Sequence, residues 1–363
     1  MRSILVVSDG EGPTTLIRGR QFADLFEHHG IRFEFFARRP SWLSKLTSWA
    51  NARWWSNILY RILVRLEGRV IRGREDLIVR KSNGYDCIFL LWTPSWRLHK
   101  NLWQKSSAKI VMDVSDGLWL PHYQRGGYDG KGGFERVHDM LACSHALSCE
   151  NEYLATYARK HNINTHVTPD APQVEGFDAV RKKYHPPKDR LTIGWIGGGG
   201  SADNIGVIFE VLEDLFLRYD HLHLRILGAG LRDLPRFENV RFSYKTHFTN
   251  SEMIEEALKM DIGLFPLHLT EDSKLRGTLK AKIYMSAGAV AVCQNWGGSA
   301  DLIRHRDNGL LAGSQKEWYE ELDWLIANPA EREAISARGL ETMRNGFTRK
   351  ICFDRLRSVF ESV

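Results

Sequence analysis

Residues 191–204 read LTIGWIGGGGSADN: an apolar run from Leu191 to Ile196, four consecutive glycines from Gly197 to Gly200, and then Ser201, Asp203 and Asn204, each a competent helix cap. A helical pattern follows from Ile205 to Tyr219, and a second apolar run, Leu222 to Leu227, ends in Gly228-Ala229-Gly230. Strand, glycine loop, helix, strand is the order of a parallel α/β sheet. Four residues without side chains let backbone N–H groups approach an anion where the helix begins. Gly197, Gly199 and Ala202 also fit Gly-x-Gly-x-x-Ala, the dinucleotide pattern. That site needs an acidic residue at the end of the next strand to hold a ribose, and glycines stand there instead, so a dehydrogenase lacks its main specific contact.

Downstream, short strands are expected at Val240 to Tyr244, Ile262 to Pro266 and Ala289 to Cys293, with helices at Asn250 to Lys259 and Lys280 to Ala287. Lys274, Arg276, Lys280 and Lys282 precede the turn at Met285 to Gly288. Ligands of open α/β sheets sit at the carboxyl ends of the strands, where cations compensate a diphosphate; a solvated helix face is the other reading of the same charges. The loop from Asn295 to Asp301 offers backbone amides at Gly297, Gly298 and Ser299, or an ordinary helix cap at Ser299.

Upstream, the same alternation occurs once more. Ser3 to Ser8 is a strand, Asp9 to Pro13 a turn, and Leu16 to His29 a helix closed by Gly30. Further strands are expected at Ile31 to Ala37, Cys87 to Trp92, Lys109 to Asp113, His145 to Ser148 and His166 to Thr168. From Asp170 to Arg190 the chain carries Pro172, Pro186 and Pro187 and reads as a linker. The chain of 363 residues, 43% hydrophobic and 26% charged, therefore divides into two α/β domains, 1–172 and 191–345, joined by 173–190, with a final helix over 346–363.

Five scattered cysteines with no Cys-x-x-Cys pair suit reduced thiols in the cytoplasm. No apolar run reaches a membrane span, and the residues after Met1 carry no signal-peptide core. Between Arg38 and Lys81 there are eleven Lys or Arg against Glu67, Glu75 and Asp76, together with Trp42, Trp49, Trp54 and Trp55. This net +8 leaves the remainder at −2, so the overall +6 is local. Basic and Trp-rich segments suit peripheral contact with anionic lipid on the inner face of the plasma membrane; a pair of helices with Trp inward and Arg outward is the alternative. Lacking a recognised module, the chain is not expected to bind nucleic acid.

The stretch from Asp261 to Ala312, with Asp261-Ile262-Gly263-Leu264-Phe265-Pro266-Leu267, Lys280, Tyr284-Met285-Ser286-Ala287-Gly288, Gly297-Gly298 and Asn308-Gly309-Leu310-Leu311, resembles the family 4 glycosyltransferases, retaining enzymes of the GT-B class. The resemblance spans roughly 190–363, is looser over 1–40 and 109–172, and is absent over 41–108. It implies two Rossmann-like, doubly wound domains facing a central cleft: an N-terminal acceptor domain and a C-terminal nucleotide-sugar domain, with the final helix crossing back to the first. The implied activity is hexosyl transfer from a nucleotide-diphosphate sugar to a hydroxyl of a glycan or lipid-linked glycan, as in cell-envelope polysaccharide or lipopolysaccharide synthesis. Lys280 aligns with the family's diphosphate-binding lysine and Arg276 supplies a second cation, and these two are the expected catalytic residues. Gly10, Gly12, Gly197, Gly198, Gly199, Gly200, Tyr284, Gly298 and Ser299 are the expected donor contacts, Gly10 and Gly12 from across the cleft. Asp9, Glu11, Asp113 and Asp116 fall at strand ends of the first domain, and Asp9, Asp113 and Asp116 are the expected acceptor contacts.

The chain departs from the family at four places, one of them the loop from Gly197 to Asn204, which lacks the Arg and Lys that many members carry there. The carboxylate that usually holds the donor ribose is Ile283, a second one eight residues earlier is Leu275, and the His after the fourth strand is Ser115. In a retaining transfer the leaving phosphate oxygen can take the acceptor proton, so the protein's part is orientation and charge stabilisation. With no Asp-x-Asp and no His ligand spacing, neither a metal nor a resident cofactor is expected. A sugar-nucleotide epimerase or phosphorylase on the same architecture, or a catalytically degenerate partner subunit, are the competing functions.

Overall fold

A computed structural model describes residues 2–10, 12–43, 46, 57–93, 95–120, 136–183 and 190–363. Two compact units emerge: Met1–Pro169 with Phe353–Val363, and Asp170–Cys352. Each is built on one six-stranded, fully parallel sheet.

In the first unit the strands are β1 Ser3–Ser8, β2 Arg32–Ala37, β3 Cys87–Leu91, β4 Lys109–Val114, β5 Ala146–Cys149 and β6 Thr165–Val167. They are ordered β2-β1-β3-β4-β5-β6. Ile4 to Val7 and all of β3 are buried, as expected for parallel strands covered on both faces. In the second unit β7 Leu191–Ile196, β8 Leu222–Leu227, β9 Phe242–Lys245, β10 Ile262–Phe265, β11 Val290–Gln294 and β12 Leu310–Ala312 are ordered β12-β11-β10-β7-β8-β9. Read from β9, the unit's strands run third, second, first, fourth, fifth, sixth. The chain reverses direction across the sheet between β7 and β10, which is where such sheets bind their ligands.

Three local expectations are revised. The helix expected from Leu16 to His29 is broken into Pro13–Arg18, a 3-10 turn Arg20–Phe22 and Ala23–His28. Gly19 lies at the break, where an added Cβ would come within 2.8 Å of Leu91 Cδ1, so the chain bends to pass close over β3. Gly30 takes the left-handed conformation expected of it. The helix expected from Ile205 opens with a long 3-10 segment, Gly199–Ile208, and becomes α-helical only over Phe209–Arg218. Within the stretch read as a linker, Val174–Arg181 is helical, because Val174 and Phe177, one turn apart, are buried with Ile196, Met285 and Ala287 of the second unit.

The basic segment contains one long helix, Asn57–Ser82, of 26 residues and about 39 Å. Its inner face buries Glu67, Ile71, Glu75 and Ile78. Much of the segment's charge is directed inward: Arg38 bridges Asp9 and Glu75, Arg39 bridges Glu67, and Arg74 lies over the Phe36 ring. Trp49, Trp54 and Trp55 lie outside the described residues. The C-terminal helix Arg349–Glu361 places Phe353 and Phe360 against Phe26 in the core of the first unit, with ring centroids 4.8 and 5.7 Å apart.

On the helix Trp96–Lys105, His99 is fully buried and its Nδ1 has no hydrogen-bond partner among the described residues. Burial, and then the neighbouring His145, lower its pKa from 6.5 to about 4. The unfolded chain therefore binds a proton that the folded chain refuses between these two values. Stability from this group is present above pH 6.5 and is lost as pH falls toward 4, by about 1.4 kcal/mol per pH unit at most. Urea titrations at pH 7 and pH 5 should show this loss, and His99→Phe should remove its share.

Candidate functional site

The carboxyl ends of β7, β8, β10 and β11 carry loops that are tied to one another within the second unit. The loop after β7 is pressed close to the one after β8: Gly228, at φ +91°, has no room for a Cβ, which would come 2.0 Å from the Gly197 carbonyl oxygen. Gly197 is equally constrained by Trp195 and Ser201, whereas a Cβ on Gly198 would meet nothing within 4 Å. His268, after β10, links to the same loop through Nε2 to Asp203 Oδ2 at 2.9 Å, and its backbone N–H donates to Asn204 Oδ1. Gly297, after β11, has φ +55°, and a Cβ there would strike the Lys274 carbonyl. The Trp296 indole N–H donates to Thr270 O at 3.2 Å, and the Lys274 ammonium lies 4.2 Å from the Trp296 ring.

Lys280 lies in the first turn of the helix Leu279–Ala287. Its Nζ donates to Ser201 Oγ at 3.3 Å and stands over the rings of Trp195 and Phe265. The structure thus brings Lys280 to the glycine loop at the β7/β10 switch point. Arg276 is exposed, and its guanidinium makes no hydrogen bond or ion pair among the described residues. The structure therefore presents one cation beside the loop and a second, unengaged one four residues earlier.

Other members of the expected set point elsewhere. Tyr284 is fully buried: its hydroxyl accepts from Ile196 N at 2.8 Å and donates to Leu264 O at 3.1 Å. Its ring fills the space where Gly263 lacks a side chain, and burial holds its pKa above that of a free tyrosine. It is a strut between β7 and β10, so its expected donor contact is withdrawn. Lys282 is buried with its ammonium 5.0 Å from the Phe347 ring, which takes it out of the basic cluster. The five-residue helix Gly298–Leu302 is capped by Gly297, with Gly298 and Ser299 buried, so Ser299 is not the cap. Ile283 and Leu275 are both buried apolar residues where the family has its carboxylates.

In the first unit, two expected acceptor contacts already carry partners of opposite charge. Asp9 is buried and bonded to Arg38, with Nε at 2.7 Å. Asp113, 1% exposed, takes Arg18 Nε at 3.0 Å and Nη2 at 2.5 Å and the Ser148 hydroxyl at 3.2 Å. Inward-facing arginines thus occupy both carboxylates, which removes them as ready-made sugar ligands; Asp116 remains half-exposed. The Gly10 carbonyl accepts from Ser8 and Thr15, Gly12 begins the helix Pro13–Arg18, and Glu11 lies outside the described residues. Arg18 belongs to no motif, and no periodicity distinguishes it from any other helix arginine.

Residues 208–356 match a family model described as glycosyl transferase-like. The fold agrees over the whole chain with solved structures. Anabaena HepE in complex with UDP and glucose has a TM-score of 0.69 at 13% identity, with all of both chains covered. A glycosyltransferase from Rickettsia africae has a TM-score of 0.68 at 12% identity, covering 99% of this chain and 98% of that one. The chain has the two-domain α/β GT-B fold of these structures, and its second unit carries the glycosyl transferase-like match. Sucrose-phosphate synthase from Thermosynechococcus elongatus is a further neighbour, with a TM-score of 0.65 at 12% identity over 99% of this chain and 98% of that one. Among curated proteins, none matches this sequence.

Proposed function

We propose that the enzyme transfers a hexosyl group, with retention and without a metal, from a nucleotide-diphosphate sugar to a hydroxyl of a glycan or lipid-linked glycan of the cell-envelope type. The observation that carries this reading is Lys280 beside Ser201 and the glycine loop, at the switch point of a parallel sheet. A diphosphate there would face backbone amides of the loop and one cation, with Arg276 free to add a second. HepE has been solved with UDP and with UDP-glucose, which favours a uridine donor. As the sugar–phosphate bond breaks, negative charge grows on the leaving diphosphate. Fixed cations and amides stabilise that charge more than the ground state, and the leaving oxygen takes the acceptor proton on the same face.

Calorimetry with UDP and GDP tests the donor site: wild type should bind one of them, and Lys280→Ala should bind it at least ten-fold more weakly. Equal affinities would sink the assignment. Ile283 and Leu275 favour one rival, a degenerate partner subunit, which should give no heat with either nucleotide. The anomeric configuration of the first product, read by NMR, tests retention.

The acceptor side rests on the long basic helix. Arg61, Arg65, Arg69 and Arg72 occupy one exposed face of Asn57–Ser82, and none has a side-chain partner among the described residues. Ile62 and Leu66 beside them are 53% and 43% exposed. An anionic bilayer on the inner face of the plasma membrane complements this face, at about 1 kcal/mol for each arginine near the surface. Among the described residues, no helix is long and apolar enough to cross a membrane. The protein should sediment with vesicles containing phosphatidylserine and not with neutral ones, and Arg65→Glu with Arg69→Glu should release it. Arg38→Glu is the wrong test, because that side chain is committed to Asp9 and Glu75.

A further inference from the structure

The Lys280 ammonium and the Gly197 backbone meet on one side chain. Trp195, in β7, is 1% exposed. A Cβ placed on Gly197 would lie 2.4 Å from Cη2 and 2.5 Å from Cζ2 of its indole, so the benzo ring lies directly against the start of the glycine loop. The Lys280 Nζ stands 5.2 Å from the centroid of the Trp195 ring and 5.8 Å from that of Phe265, the last residue of the adjacent strand β10. Nothing in the motif requires a tryptophan here, since any apolar side chain would continue the strand.

We propose that Trp195 is a positioning residue of the donor site, with Phe265 as its second wall. Its π face attracts and orients the Lys280 ammonium, and its edge sets the height of Gly197, so that cation and loop amides converge on one diphosphate. The two aromatic rings also replace water around the ammonium, which strengthens its pull on phosphate oxygens. This role rests on the reading of Lys280 as the diphosphate cation. It explains why the glycine at 197 is obligatory: the benzo ring occupies the volume that any side chain would need.

The test is a double-mutant cycle read by calorimetry with UDP, or with GDP if that is what the wild type binds. Trp195→Phe should weaken binding about three- to thirty-fold, the range of a cation–π contact. In a Lys280→Met background the same change should move affinity less than two-fold, because there is no ammonium left to orient. Equal factors in both backgrounds would overturn the proposal. A second cycle uses shape: Gly197→Ala should be more damaging in wild type than in Trp195→Phe, which lacks Cη2 and Cζ2, and equal damage would count against the role. The shape cycle decides the matter if Lys280→Met drops binding below detection. If Trp195→Phe does not fold, Phe265→Leu with Lys280→Met runs the first cycle, and additivity there overturns the proposal as well. Failure of the wild type to bind UDP, GDP or ADP would remove the donor reading and this role with it. Binding by the wild type with an additive cycle would remove this role alone.

Discussion

Lys280→Ala should lower kcat/KM for sugar transfer by about 10²–10³-fold, the loss typical of removing one fixed group that stabilises charge developing in the transition state. The size follows from the placement of the ammonium. Lys280 is held against Ser201 and two aromatic rings at the carboxyl edge of β7 and β10, where the leaving diphosphate of the proposed reaction gathers its charge. A cation free in water would be screened; one with apolar walls on two sides is screened far less. Lys280→Arg should recover part of the loss, because the charge returns with different geometry. Arg276→Ala should cost less, about ten-fold, since that side chain is exposed and must be recruited by the ligand. Initial rates of nucleoside diphosphate release from the donor that wild type turns over give the numbers. An unchanged rate for Lys280→Ala would remove the residue from the reaction.

Much of this site could be read from the chain because its parts are local. The run Leu191 to Ile196 followed by four glycines places the loop at a strand end whatever the rest of the protein does, and Lys280 is fixed by its spacing from Tyr284-Met285. The strands were legible for the same reason: parallel strands buried on both faces are unbroken apolar runs, and β1, β7 and β8 have the bounds expected of them. Tyr284 was misjudged because its neighbours along the chain do not reveal which side of its helix faces the sheet. Gly263, twenty-one residues earlier, leaves the space that its ring fills. The charged residues of the first unit misled more. Asp9 and Asp113 stand at strand ends, where a sugar ligand would be expected, but their partners Arg38 and Arg18 are separated from them by 29 and 95 residues. Such pairs are a property of the folded sheet and leave no local pattern in the sequence.

The Arg18–Asp113 pair therefore supplies the largest expected stability effect. Arg18→Met should destabilise the first unit by about 3–5 kcal/mol, the usual consequence of leaving one charge of a buried pair without its partner. Asp113 has no alternative among the described residues: its Oδ1 is served by Arg18 and Ser148, and its Oδ2 is buried without a hydrogen-bond partner there. Arg18 also donates to the backbone carbonyl and hydroxyl of Thr168, joining the helix after β1 to β4, β5 and the segment after β6. Its loss would loosen four elements together. Arg18→Met combined with Asp113→Leu should regain most of the deficit, because no charge is then stranded, and Ser148 and Thr168 still bond each other. Urea unfolding followed by circular dichroism, run on the wild type and both variants, measures the loss and its recovery. A double variant as unstable as Arg18→Met would mean that the Thr168 contacts, not the ion pair, hold this part of the sheet together.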